Sequence, residues 1–185
     1  IPIGDIPHLK GAHNAQNIAA AYGVAKVLGI NNNVIIEALR SFRGLSHRMQ
    51  YIGKSGNVSY YNDSKATNAD ATAKALTISE HIYWIVGGLA KDGGISSLEP
   101  YFNNITQAYL IGDAQEEFAH QLKGKVPFSK CGTLDVAFRA ANLAAHQDGH
   151  NGAVVLLSPA CASFDQFENF GARGDSFVNL VREEL

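Results

Sequence analysis

The chain has 185 residues, 46% of them hydrophobic and 17% charged, and a protein of that length buries roughly 70% of its extended-chain surface, enough for a core without metal or disulfide staples. Fifteen Lys+Arg against seventeen Asp+Glu give a net charge of −2, which leaves no excess basic charge to drive nucleic-acid binding. No apolar run approaches the ~20 residues of a membrane helix, no signal-peptide pattern opens the chain, and two cysteines, Cys131 and Cys161, make no disulfide framework, so a globular cytoplasmic protein is expected.

The only Met is Met49 and the chain opens Ile1-Pro2-Ile3-Gly4, so it is expected to continue a longer protein. Residues 14–28 place Ile18, Ala21, Tyr22, Ala25 and Leu28 at helical spacing, with Gly29 as a C-terminal stop. A second helix is predicted from Val34 to Phe42, burying Ile35, Ile36, Leu39 and Phe42. Beyond Gly44-Leu45 the pattern changes. Met49–Ile52 and Val58–Tyr61 read as strands around a hairpin connection, and Asn68–Ser79 as a helix. Ile82–Val86, Ala108–Ile111 and Ala153–Leu157 read as buried strands, with a short strand at Val126–Phe128. Helices are predicted near Ala114–Leu122, at Thr133–His146 and at Gly174–Glu184. Near-continuous apolar strands alternating with helices indicate an α/β fold, a mostly parallel sheet covered on both faces. The domain boundary falls between Gly44 and Leu45.

In such a sheet, ligands bind outside the carboxyl ends of the strands. Four exits are therefore informative: Asn62-Asp63-Ser64-Lys65-Ala66-Thr67-Asn68, Gly87-Gly88 through Lys91 to Gly93-Gly94, Gly112-Asp113, and Ser158-Pro159-Ala160-Cys161-Ala162-Ser163. Lysines, hydroxyls and glycines gathered on one edge suit an anion. On composition alone the first segment reads first as a turn in which Thr67 or Asn68 caps the next helix, because caps use the same residue types. The second is either a backbone able to approach a ligand closely, with Lys91 projecting into the site, or a solvated surface loop. No GxxxxGK[ST] phosphate loop and no GxSxG elbow occurs. Without an evident base, Cys161 reads as a core residue and Ser163 not as a nucleophile. His146 and His150 are separated by the helix-ending Gly149, and no metal site is expected. Asn14 and Asn17, three apart at a helix start, are a cap and a surface amide, or together face a purine edge.

Ser158-Pro159-Ala160-Cys161-Ala162-Ser163-Phe164-Asp165-Gln166-Phe167 with Asn169-Phe170, Asn62 to Asn68, Gly11-x-His13-Asn14-x-x-Asn17, and His47-Arg48 occur in one order along the whole chain. Together they resemble the signatures of the Mur ligase family, and the first two resemble its D-glutamate-adding members. The resemblance implies a three-domain enzyme that is ATP-dependent, uses Mg2+ and is monomeric. Residues 1–44 are then the last helices of its central ATPase domain, and residues 45–185 its Rossmann-like, amino-acid-binding domain. It also implies that ATP phosphorylates UDP-N-acetylmuramoyl-L-alanine and that the D-glutamate amine attacks the acyl phosphate, in peptidoglycan precursor synthesis.

By the same resemblance, Asn14 and Asn17 contact adenine, and Arg48, Asp63 and Lys65 reach the ribose and phosphates and serve catalysis. Thr67, Lys91, Ser163, Phe164 and Phe170 hold D-glutamate. The phosphate loop, magnesium ligands and UDP pocket are expected upstream, with no metal ligand in this chain, which alone is expected to be inactive. Leu89-Ala90 before Lys91 is less polar than the family's loop at that point. The alternatives are another ligase of this superfamily, such as a folylpolyglutamate-synthase-like protein, and a stand-alone domain that captures a small anion.

Overall fold

The computed structural model describes residues 12–42 and 44–185, with side chains from residue 15. The chain divides into one unit that ends at Leu45 and a second from Ser46 to Leu185. In the first, α1 (Ala12–Val27) and α2 (Asn32–Ser41) are joined by a turn in which Asn31 caps α2 through the Asn33 N–H. The expected apolar stripe of α1 is only partly covered. Ile18 is buried and Tyr22 and Ala25 are half-buried, but Ala21 and Leu28 are exposed. On α2, Ile35 is buried while Phe42, just past its end, is exposed. Two helices have one shared face, and it cannot cover every apolar position that their periodicity offers.

The second unit is a six-stranded sheet of order β1-β2-β6-β3-β4-β5. Its strands are β1 (Gln50–Ser55), β2 (Val58–Asn62), β3 (Ile82–Gly87), β4 (Ile105–Ile111), β5 (Phe128–Gly132) and β6 (Val154–Leu157). Only β1 is antiparallel, paired with β2 across the two-residue turn Gly56-Asn57. All residues of β3 and β6 are buried, as expected of central parallel strands. The edges β1 and β5 are half-buried and exposed in turn.

Alternate side chains of the central strands enter two cores. Ile82, Trp84, Val86, Leu110 and Leu156 face α3 (Ala69–Ala75), a 3-10 helix (Ser96–Asn104) and α4 (Gln115–Leu122). Tyr83, Ile85, Tyr109, Val155 and Leu157 face α5 (Leu134–Asp148) and α6 (Phe170–Glu184). The mostly parallel, doubly covered α/β sheet is therefore present.

Several elements differ from the sequence expectation. α3 ends at Ala75 rather than Ser79: Thr77 and Ile78 turn back by three-residue hydrogen bonds to Lys74 O and Ala75 O, and the Asn104 amide takes Leu76 O (2.8 Å). β5 begins at Phe128, because Val126 still donates to Leu122 O at the end of α4. The 3-10 helix carries no sequence period and contains Pro100. α6 starts at Phe170 rather than Gly174, capped by Asn169, whose side chain accepts from Ala172 N (2.9 Å).

Candidate functional site

The adjacent parallel strands β2, β6, β3 and β4 bring their four exits to one edge. β6 leads to α6 on one face, whereas β2 and β3 lead to α3 and the 3-10 helix on the other. The edge is thus a topological switch point, the place where this architecture opens a crevice. Main-chain and side-chain hydrogen bonds join the loops into one rim. Leu89 and Ala162 exchange both hydrogen bonds (2.9 and 3.1 Å), and Gly87 N donates to Pro159 O (2.9 Å). Asp113 N donates to Asp165 Oδ2 (3.2 Å), and Gln166 Nε2 to Gly132 O (2.7 Å). Gly87 and Gly88, at φ 131° and 130°, require glycine on this rim, and so does Gly112 (φ 67°), where a Cβ would lie 2.8 Å from Gly88 Cα. The close approach expected there is to neighbouring backbone: a Cβ at Gly87 would press on Ile111 O, and one at Gly88 on Ala162 O.

At the β2 exit, Asp63 lies beneath the surface. Its Oδ1 accepts from Met49 N (3.1 Å) and its Oδ2 from Ser158 Oγ (2.9 Å). His47 and Met49 are both left-handed (φ 63° and 42°), a strained setting for side chains of this size. Asp63 therefore pins the turn that holds Arg48 exposed between them. The Asn62 amide is fixed in orientation, because its Oδ1 accepts from Ser64 N and its Nδ2 donates to Gly174 O (3.1 Å each). Nδ2 also reaches His47 Nδ1 (3.0 Å), which must accept, so the ring proton sits on Nε2, 3.7 Å from Asp175 Oδ1.

Burial raises the Asp63 carboxyl to about 6, partly offset by the Met49 N–H, the Ser158 hydroxyl and Arg48. An acid raised on folding binds its proton more tightly when folded. Its contribution to stability is therefore fully present below the unfolded value near 4 and is lost as pH rises to about 6. The loss is of the order of 2–3 kcal/mol. Asp63→Asn is expected to remove this slope while keeping the packing. Urea unfolding from pH 4 to 7 checks it, and identical slopes in both proteins would contradict the assignment.

Arg173, on α6, is 1% exposed and ties two exits together. Its Nε donates to Ser64 Oγ (3.0 Å), and its Nη2 to Ser64 O (2.9 Å) and Cys161 O (3.0 Å). Nη1 has no partner among the described residues and faces Gly88. Burial lowers the guanidinium to about 10, still cationic at neutral pH. Burial also pushes the Cys161 thiol up to about 12, which suits a core residue and not a nucleophile.

Of the other expected site residues, Lys65, Thr67 and Phe170 are half-buried on the rim, Lys91 is exposed, and Ser163 is buried at 2% exposure. Phe164 is 71% exposed. Asn68 is the cap of α3, its side chain accepting from Ala71 N (2.9 Å). Asn17 is exposed on α1, while the side chain of Asn14, like that of His13, lies outside the described residues. Among the described residues no group of three or more His, Cys, Asp or Glu is placed to hold a metal ion. Sequence reasoning missed Arg173 and Gly174. The only signal for the latter was a glycine inside a helix: a Cβ there would enter the His47 ring.

Residues 47–161 match the family described as Mur ligase, glutamate ligase domain. A UDP-N-acetylmuramoylalanine–D-glutamate ligase of Nitrobacter winogradskyi is 54% identical over 97% of this chain, and its namesake in Agrobacterium fabrum 54% over 98%. The chain spans 39% of the length of each of these relatives. The crystal structure of the UDP-N-acetylmuramate-alanine ligase MurC from Thermotoga maritima aligns over 95% of this chain and 39% of its own, with TM-score 0.62 and 17% identity. A pseudomurein peptide ligase type C from Methanothermus fervidus aligns over 94% of this chain and 36% of its own, with TM-score 0.59 and 17% identity. Likeness at that identity is likeness of fold.

Proposed function

Since the chain belongs to the Mur ligase family, we propose that it is the acceptor-binding part of an ATP-dependent ligase that adds D-glutamate to UDP-N-acetylmuramoyl-L-alanine. What supports this reading is the adjacency of β2, β6 and β3, whose exits carry Thr67, Ser163 and Lys91, in a chain about half identical to ligases of that name. In this reading residues 1–44 are helices of the ATPase domain and 45–185 the amino-acid-binding domain. The parent enzyme is a cytoplasmic monomer of peptidoglycan precursor synthesis. Among the described residues no helix is long and apolar enough to cross a membrane.

ATP, when bound, supplies the phosphoryl group that makes the acceptor's partner carboxylate an acyl phosphate. The amine nitrogen of D-glutamate then bonds to the acyl carbon, and phosphate leaves with the proton that the amine gives up. The residues of this chain act by placement. Thr67, Lys91 and Ser163 offer an ammonium and two hydroxyls to the carboxylates of D-glutamate, with Phe164 and Phe170 beside it, and holding its amine against the acyl carbon is catalysis by positioning. Lys65 and Arg48 offer cations to phosphate oxygens, Asp63 holds the Arg48 turn, and Asn14 and Asn17 face the adenine. The cations and the amides are the donor types that phosphates and a purine edge require. Magnesium belongs to the same proposal, with ligands outside the described residues.

An NMR titration of the labelled chain with D-glutamate, against L-glutamate, tests the reading. Shifts at Thr67, Lys91 and Ser163 selective for the D isomer are expected, with no ATP turnover. A preference for L-glutamate would favour a folylpolyglutamate-synthase-like acceptor instead, and silence with both isomers would contradict an acceptor site formed by this chain.

A further inference from the structure

The Lys65 ammonium does not pair with a carboxylate among the described residues. It stands 4.0 Å from the centroid of the Phe170 ring. His47 meets the same ring edge-on, with centroids 6.2 Å apart and planes at 75°. The backbones on either side are fixed as well. Lys65 N donates to His47 O (3.0 Å), and Ser64 Oγ donates to Phe170 O (2.8 Å). Phe170 is the first residue of α6, set by the Asn169 cap. The ring and the ammonium are thus brought together by elements that each have independent anchors, which separates this contact from a surface lysine resting on the nearest apolar group.

The choice of partner has a consequence for binding. A carboxylate beside Lys65 would cancel its charge, repel an incoming anion and have to be displaced through a charge-assisted hydrogen bond. An aromatic face attracts a cation through its quadrupole and carries no net charge. It restrains the flexible lysine stem without consuming the charge that the stem delivers. We propose that Phe170 is a positioning residue for Lys65, keeping its ammonium at the β2 exit ready for a phosphate-type anion. This rests on the reading of that edge as an anion site, and it gives Phe170 a task besides contact with the acceptor.

The test uses Phe170→Leu and Phe170→Tyr in the labelled 185-residue chain, with inorganic phosphate as the anion and chloride as control. In the unmodified chain the Lys65 ε-methylene resonance is expected upfield from the ring current. It is expected to return to its ordinary position in Phe170→Leu and to stay upfield in Phe170→Tyr. Phosphate is expected to bind Phe170→Leu roughly three- to tenfold more weakly, as loss of a partly exposed cation–π restraint predicts, with Phe170→Tyr near the unmodified value. Amide spectra elsewhere check that both variants fold. An ordinary ε-methylene shift in the unmodified chain, or equal phosphate affinity in Phe170→Leu, overturns the proposal. An upfield shift with no phosphate response in any of the three proteins overturns the anion reading of the edge, and with it the positioning role, while leaving the contact itself established. A residue that touches only the acceptor would alter D-glutamate binding and leave the lysine resonance unmoved.

Discussion

Gly88→Ala is expected to lower the stability of the sheet domain by about 3–6 kcal/mol, the sum of backbone strain and forced overpacking. Gly88 stands where three strand exits meet. Its N–H donates to Ile111 O (3.1 Å) at the end of β4, and its carbonyl accepts from Ala114 N (3.0 Å) at the start of α4. A methyl group would press on Ala162 O after β6 and lie 3.0 Å from Cys161 Cβ and 3.2 Å from Arg173 Nη1. The carbonyl is backbone in a hydrogen-bonded bridge, so it has no rotamer to change. At φ 130° an alanine is strained even in open space. Gly124→Ala is the matched control, because Gly124 also has positive φ (75°) but nothing within 4 Å. Thermal melts are expected to fall by about 10–20 °C for Gly88→Ala and by only a few degrees for the control. Equal shifts would mean that the exits are not packed as described.

Arg173→Ala is expected to cost about 3–5 kcal/mol and, if the domain binds D-glutamate as proposed, to abolish that binding. The stability loss comes from two buried carbonyls, Ser64 O and Cys161 O, left without the donor that now serves them, and from the cavity left by a side chain of this size. It is partly offset, because the buried guanidinium has no carboxylate within ion-pair distance among the described residues, and burying it is itself unfavourable. Binding fails for a geometric reason. The loops that carry Thr67 and Ser163 follow different strands, and Arg173 is the side chain that donates to both. Arg173→Lys keeps the charge but cannot serve Ser64 and Cys161 together, so it should recover part of the stability and little of the binding. Melting curves paired with the glutamate titration decide it. Unchanged D-glutamate affinity in a folded Arg173→Lys would show that the tie is dispensable.

The sheet was largely legible from residues 82–86 and 153–157, whose unbroken apolar runs leave no polar face for solvent and so imply central parallel strands. The rule that ligands gather at strand exits pointed to four segments that the strand order does bring to one edge, without any knowledge of contacts. β5 was misplaced because Ser129, Lys130 and Cys131 form an edge, where one flank meets water and no apolar run is needed. The start of α6 was hidden by Gly171 and Gly174, which weaken any helical reading, although Gly174 is there to admit the His47 ring. Within the site, the residue types were readable but their depth was not. Asp63 and Lys65 are two apart in sequence and have opposite situations, one turned inward on Met49 and Ser158, the other over an aromatic face. Arg173 gave no signal at all, since a charged residue on a helix ordinarily marks the wet side.

β6 is the last strand in the chain and one of the two innermost in the sheet. A ribosome adding about 5–20 residues per second exposes β2 and β3 long before Val154–Leu157 emerges. Until then β2 and β3 present facing main-chain edges with a slot between them, the kind of surface on which foreign strands pair. The nascent domain is therefore a natural client for chaperones until β6 has emerged. A premature stop anywhere before β6 removes the wedge that closes the sheet, and with it the main-chain ladders that join β2 and β3 through β6, so truncated products should be cleared as misfolded protein and not persist as partial enzymes.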